Sequence, residues 1–464
     1  MQASPVLRWL PRIALIACVH CASVLAASGD LDPAFGAAGE VHVDFAASEF
    51  AQAMVRDAAG NLFVVGSASE PNNSDITVVK LDASGHPVAS FGTGGKVLID
   101  VDSGSNDFAA ALALDAAGNL YIAGSSNLDF LAIKLLPNGQ LATAFGDGGK
   151  VVIDVDGSTG ANSALAIALD ASGNVYVLGG DHPTGSGVDP QVAILKLDSS
   201  GHRVAAFGTN GVKLLHVDNR ASQAGGAAID AAGNLVIGGS VYTLGSSASN
   251  DAFVLALSPG GQLVPGFGSA GVTIIHRSYT INAGPLVRGT DGMLYISGEA
   301  LENSSAKLFV AKLAPTGQPV AGFGDAGALA VDPTDDAYTT YAHVAVDAAG
   351  NVFLGSVTYY PPGLVNRAQG IDAVEGGAAH SVVAQLDASG HLVSAFGTGG
   401  VKVITLASGE ASVSAIAVDG NHVYLAGRVL FPAPVSGNYD DELVLGLLLE
   451  LPDSIFANDF EVPD

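Results

Sequence analysis

The chain has 464 residues, 48% of them apolar and only 14% charged, which is enough apolar material for a large buried core and too little charge for a disordered polymer. Sixty glycines point to many tight turns, and the lack of a Gly-X-Y period excludes collagen. A formal charge of −27 argues against nucleic acid and anionic lipid as partners and favours cations, cationic polymers or basic proteins, although acidity also simply keeps an exported protein soluble.

The N-terminus reads as a secretory signal peptide over residues 1–26. Arg8 and Arg12 supply its positive end, Ile13 to Val19 its apolar stretch, and Val24-Leu25-Ala26 a small-residue cleavage site. The apolar run is shorter than the roughly 20 residues a spanning helix needs. Leu15-Ile16-Ala17-Cys18 also matches a lipobox, the alternative in which Cys18 becomes an acylated first residue. Cys18 and Cys21 are the only cysteines, and ordinary cleavage removes both, so their Cys-x-x-Cys spacing predicts no metal, redox or haem site in the mature chain. Without Arg8 and Arg12 the mature protein carries 16 basic against 45 acidic residues. The expected location is the periplasm, the cell surface or the medium.

Two markers then recur in step. Phe-Gly-x-x-Gly begins at Phe35, Phe91, Phe145, Phe207, Phe267, Phe323 and Phe396, spaced by 54 to 73 residues. An Asp-x-x-Gly-Asn turn followed by alternating apolar residues begins at Asp57, Asp115, Asp170, Asp230 and Asp347, with degenerate copies at Asp291 and Asp419. Within one unit four segments have strand character: Lys96 to Val101, Ala109 to Leu114, Leu120 to Ala123, and Phe130 to Leu135. Seven such units predict an all-β fold, a seven-bladed β-propeller of four-stranded antiparallel blades over residues 27–451, followed by an acidic tail, 452–464. We label the strands d, a, b, c in chain order. The alanine-rich segment, as in Ala109 to Leu114, Ser163 to Leu169, Ala224 to Ile229 and Ser414 to Val418, is expected innermost, where blades crowd the axis. Val41 to Asp44 is then expected to pair with Leu443 to Glu450 and close the ring.

The units resemble the delta-60 repeat family through Leu31-Asp32-Pro33-Ala34-Phe35-Gly36, the recurring Gly-Asn-Leu-Tyr or Gly-Asn-Val-Tyr strand, and Asp129-Phe130-Leu131-Ala132-Ile133-Lys134-Leu135. The resemblance covers nearly all of the mature chain and implies a β-propeller, but no settled activity and no catalytic residues. Copies depart from the pattern where Leu-Asp before Phe-Gly becomes Val88-Ala89. The tail Ile455-Phe456-Ala457-Asn458-Asp459-Phe460-Glu461 resembles short acidic-aromatic tails of other exported bacterial proteins.

Antiparallel order puts the d-to-a and b-to-c connections on one face. The opposite face receives the near-uniform a-to-b and c-to-d turns. All the irregular insertions fall on the first: Asp181 to Pro190, Tyr242 to Asp251, Val357 to His380 and Val429 to Asp441. That face also collects carboxylates: Asp100, Asp102 and Asp107; Asp154 and Asp156; Asp332, Asp335 and Asp336; Asp372 and Glu375; Asp440, Asp441 and Glu442. Such clusters suit Ca2+, which takes six to eight oxygen ligands, though none fits the spaced Asp-x-Asp-x-Asp-Gly loop, and solvated loop acids are the plain alternative. Tyr359, Tyr360, Phe431 and Tyr439 offer stackable surface for a sugar or peptide, or else pack down the long loops.

No His-Glu-x-x-His, Gly-x-Ser-x-Gly or Walker loop is present, since Gly94-Gly95-Lys96 lacks the upstream glycine and the following hydroxyl residue. His86, His202 and His391 recur at equivalent turns, as structural residues do. His42, His216, His276, His343 and His380 scatter, leaving open a pair that converges on the axis. The leading expectation is an exported binding scaffold presenting its variable acidic face to a protein or glycan. The alternatives are a hydrolase or lyase on extracellular glycans or peptides using carboxylates of that face, and a structural element of a surface assembly.

Overall fold

A computed structural model of the chain describes residues 28–69, 73–157, 160–183, 189–243, 250–302, 305–333, 338–339, 342–359, 379–406, 410–430 and 441–448. The expected signal peptide and acidic tail lie outside them. Among the described residues every regular element is a strand, and no helix is long and apolar enough to cross a membrane.

The strands form seven sheets, and the second blade shows the plan. Its strands are Asp107–Leu114 (a), Leu120–Ser126 (b), Asp129–Leu135 (c) and Lys150–Ile153 (d), antiparallel in that order. Strand a starts two residues before the apolar run because the carboxylate of Asp107 is buried and accepts the Val101 N–H at 2.9 Å. Strand d ends at Ile99 in the first blade, short of the expected Val101, where the chain leaves for the next blade. The last blade, Glu410–Val418, His422–Leu430 and Asp441–Leu448, takes its fourth strand from the start of the chain, Glu40–Val43. Val41 pairs with Val444, His42 with Leu443 and Val43 with Glu442, so the ring closes as its sequence predicts.

The core is divided among the junctions. Seven apolar clusters each lie between adjacent blades, as where Val65, Ile76 and Val78 of the first meet Ile122, Leu131 and Ile133 of the second. The Phe-Gly marker belongs to this packing. Phe91, Phe145 and Phe207 are each 1% exposed, and their rings meet Phe63, Tyr121 and Tyr176 of strand b edge-on at 5.8, 6.0 and 5.9 Å. Lys80, Lys134 and Lys196 cap these rings, each 4.8 Å from the centre of the strand-b ring. The glycine after the phenylalanine has a left-handed backbone: at Gly92 φ is +55°, and a β-carbon would lie 2.2 Å from the Lys96 carbonyl. Its N–H reaches the next blade, Gly92 to the Asn138 carbonyl and Gly146 to that of Ser200, both at 2.8 Å.

Around the axis strand a of each blade is interrupted. Its register with strand b shifts between Ala51 and Ala53, Ala109 and Ala111, Ala164 and Ala166, Ala224 and Gly226, Ala283 and Leu286, and Val413 and Ala415. These bulges turn Gln52, Ala110, Leu165, Gly225, Gly284 and Ser414 into a central channel of about 360 Å³. In the sixth blade strand a breaks into Tyr338–Thr339 and His343–Val346, and His343 lines the channel there. The crowding that favours small residues is direct, since a β-carbon on Gly225 would lie 2.5 Å from the α-carbon of Gly284.

Candidate functional site: the variable face of the ring

Each face is set by what its aspartates touch. On the uniform face every Asp-x-x-Gly-Asn turn is an internal hydrogen-bond cage. Asp115 Oδ1 accepts the N–H groups of Ala117 and Asn119 at 2.9 Å, and its Oδ2 accepts the Asn119 side-chain amide at 2.7 Å. Burial alone would raise the pKa of Asp115, but these three bonds outweigh it and hold the carboxyl below its ordinary value. Asp57 is held down the same way. At the c-to-d turn Asp387 is lowered to about 2, first by the His391 N–H and then by the Ser389 hydroxyl. His86, His202 and His391 stand 3.7 Å from the turn aspartates Asp82, Asp198 and Asp387 and are largely exposed, as turn residues are.

The variable face repeats a different position. Strands c and d pair up to Ile76 with Ile99, Phe130 with Ile153, Val192 with Leu215, Ala252 with Ile275 and Leu308 with Val331. One step beyond each pair the two strands both carry a polar residue at the rim. Around the ring they are Asp75 and Asp100, Asp129 and Asp154, Gln191 and His216, Asp251 and His276, and Lys307 and Asp332. Sequence reasoning found Asp100 and Asp154 but missed Asp75 and Asp129, which only strand register brings to them.

The pairs differ in how their charge is met. Asp251 is neutralised inside the protein, by Arg220 Nη1 at 2.6 Å and His276 Nδ1 at 2.7 Å. Lys307 sits 2.8 Å from Glu302 and is within the field of Asp332. In the first two blades acid faces acid. Asp75, Asp100 and Asp107 bring carboxylate oxygens within 4.8 Å of one another, with Asp75 and Asp107 buried and Asp100 exposed. Asp102, expected in this group, stands outside it: its carbonyl accepts the Ser105 hydroxyl, and its side chain is exposed. At the second blade Asp129 is pushed up by burial and then by Asp154 and Asp156.

At three junctions a polar residue at the start of strand a caps the preceding loop. Glu49 accepts the N–H groups of Phe45 and Ala47 at 2.7 and 3.0 Å, Asp107 that of Val101, and Ser222 that of Val217 at 3.2 Å. At the third blade the position is Asn162, fully buried, and neither atom of its amide has a hydrogen-bond partner. Opposite it on strand b is Asp181, also fully buried. Its Oδ2 accepts the Gln191 amide at 3.0 Å, and its Oδ1 has no partner. Burial raises Asp181 above its ordinary value, and the negative charge of Asp156 adds to that.

Two cavities open near the axis on this side. One, of about 280 Å³, is walled by Gln223, Ser240, Tyr242, Asn250 and Asn282, and it shares Leu165, Gly225 and Gly284 with the channel. Asn250 donates to Asn282 at 2.8 Å, and Asn282 donates in turn to Glu299 at 3.0 Å. Among the described lining of the channel the titratable group is His343, whose pKa enclosure pushes down to about 4. His42 pairs instead with Glu40, and His276 with Asp251, so these do not meet on the axis.

Other expected site residues are only partly described. Tyr360, Phe431, Tyr439, Asp335, Asp336, Asp372, Glu375 and Asp440 lie outside the described residues. Tyr359, Asp441 and Glu442 are placed as backbone at strand ends of the sixth and seventh blades. Asp332 follows strand d of the fifth blade and is exposed.

No protein-family model matches the chain, and no curated protein matches it. Among solved structures it is similar to virginiamycin B lyase from Staphylococcus aureus, at 9% identity over 88% of this chain and 98% of that one, with a TM-score of 0.46. It is also similar to the polysaccharide lyase Uly1, at 11% identity over 86% and 90%, TM-score 0.44. A third is the β-propeller domain of the Trilobed protease from Pyrococcus furiosus, at 8% identity over 90% and 100%, TM-score 0.42. At such identities the likeness concerns the fold alone.

Proposed function

We propose that this protein is an exported propeller of the delta-60 repeat type that works as a binding scaffold, with the variable face as its contact surface. The observation that carries this reading is the pocket between the fourth and fifth blades. Its polar wall is made of uncharged amides and a hydroxyl, Gln223, Ser240, Asn250 and Asn282, beside the ring of Tyr242. Paired amide donors and acceptors with an aromatic surface match the hydroxyl-rich, apolar-faced chemistry of a neutral glycan. The uniform face also carries a cavity, of about 340 Å³ between the second and third blades, but its wall of Lys134, Thr143, Phe145 and Ser200 with the single amide of Asn119 lacks the paired amides.

The test is retention of the mature protein on an array of neutral polysaccharides, followed by calorimetry with the best of them. Gln223→Ala and Tyr242→Phe should each weaken binding about tenfold, the loss of one to two hydrogen bonds. No retention, or undiminished binding by both variants, would overturn the reading. New reducing ends in the bound polysaccharide would instead assign the protein to the hydrolase or lyase class.

A further inference from the structure

We propose that the pocket between the fourth and fifth blades and the axial channel are one binding site, in which the uncharged end of a glycan chain passes through the pocket to the axis and is bound there by Gln52 and His343. This rests on the glycan reading of the pocket and adds that the chain is held by its end.

The two cavities meet along the bulges. Strand a runs from the variable face towards the uniform one. The pocket is walled by residues that precede the bulges, Gln223 and Asn282, and the channel by residues that follow them, Ala53, Met54, Ala415 and Ile416. Leu165, Gly225 and Gly284 line both, so the channel continues the pocket inward. Gly284 keeps this passage open. It is buried, its backbone is outside the left-handed region, and an added β-carbon would meet nothing within 4 Å. Neither its conformation nor packing around that carbon calls for glycine, and what the missing side chain leaves is the space that joins the cavities.

The channel also holds two polar side chains with nothing to bond. The Ser414 hydroxyl donates to the Ala51 carbonyl, but Gln52 and His343 have no hydrogen-bond partner among the described residues. Enclosure keeps the imidazole neutral, so it offers one donor and one acceptor, as the amide of Gln52 also offers both. A sugar hydroxyl, itself donor and acceptor, matches each of them. In a chain with 45 acidic and 18 basic residues, no Asp, Glu, Lys or Arg is found in the described lining of either cavity. A carboxylated or aminated ligand would therefore bury its charge without an answering one, which leaves a neutral unit as the fit. Met54, Leu165, Val344 and Ile416 supply the apolar surface for its ring faces, and a largely apolar wall with a few convergent polar groups is the composition of a ligand site.

The experiment is calorimetry of the mature protein with short cello-, malto-, xylo- and manno-oligosaccharides, each free and with either end blocked by a bulky aromatic tag. We expect one protein per chain whatever the chain length, and loss of binding when one of the two ends is blocked. Gly284→Leu, which fills the passage, should weaken binding at least tenfold, and His343→Leu about tenfold, the loss of one to two hydrogen bonds. Gly284→Leu should keep the wild-type thermal midpoint; if it melts early, His343→Leu and the blocked chains carry the test. Chains that bind with both ends blocked, and that lose affinity in Gln223→Ala but not in Gly284→Leu or His343→Leu, would overturn end binding and leave the pocket standing. So would binding of polysaccharides but of none of the short chains. No binding of any glycan, or undiminished binding in both Gln223→Ala and Tyr242→Phe, would overturn both readings.

Discussion

The two faces of the ring use the same residue in opposite ways. On the uniform face aspartate is a turn-former: Asp57, Asp115 and Asp387 are ringed by N–H donors, and their carboxyls lie below the ordinary value. On the variable face Asp129 and Asp181 meet burial and other carboxylates, and theirs lie above it. Local hydrogen bonds make an acid part of the scaffold, whereas an acid facing acids is a charge left for something outside the chain to answer. The fourth blade shows a third solution within the variable face, since there Arg220 and His276 answer Asp251 from inside.

Four substitutions break or sharpen this contrast. The largest effect should come from the packing that supports the uniform face: Phe145→Ala empties the place where one phenylalanine fills a blade, and by chemical denaturation it should cost about 3–5 kcal/mol. Arg220→Ala tests the neutralised junction. It leaves Asp251 buried with His276 alone and should cost about 2–3 kcal/mol by chemical denaturation. Asp115→Ala removes a turn cage and should cost about 1–2 kcal/mol at neutral pH. Because folding lowers this carboxyl, its contribution is complete above the ordinary carboxylate range and is lost as pH falls through the folded-state value. Wild-type and variant midpoints should therefore converge in acid.

Asp129→Asn should act in the other direction and least of all. Folding raises this carboxyl, so the ion-free wild type loses stability as pH rises from the ordinary value through the raised one, and the loss is complete above it. In chelator the variant should be more stable than wild type near neutral pH, by less than about 1 kcal/mol given its partial exposure. The two should coincide at low pH. A variant less stable than wild type in chelator would mean that Asp129 is a structural acid like Asp115.

Much of this division was legible in the chain. The seven Phe-Gly and Asp-x-x-Gly-Asn markers encode turns and packing within a few residues of themselves, so blade number, the innermost alanine-rich strand and closure by Val41 and Val444 follow from local pattern. The acid pairs did not, because Asp75 and Asp100 are 25 residues apart and are joined only by the register that ends at Ile76 and Ile99. Asp102 looked equivalent to Asp100 in sequence, but strand d ends at Ile99 and the Asp102–Ser105 turn carries its side chain elsewhere. The channel residues Gln52, Leu165 and Ser414 were hidden for the same kind of reason: bulges in the middle of strand a turn them inward, and a bulge leaves no fixed signature in an alanine-rich run. Asn162 carries no motif at all, and only its burial without partners marks it.

The most direct test of the division between faces is the thermal midpoint as a function of pH, measured side by side in Asp115→Asn and Asp129→Asn. Folding lowers the first carboxyl and raises the second. The account predicts that near neutral pH Asp115→Asn melts below wild type and Asp129→Asn at or above it, and that both approach wild type in acid. The reverse order near neutral pH would contradict it.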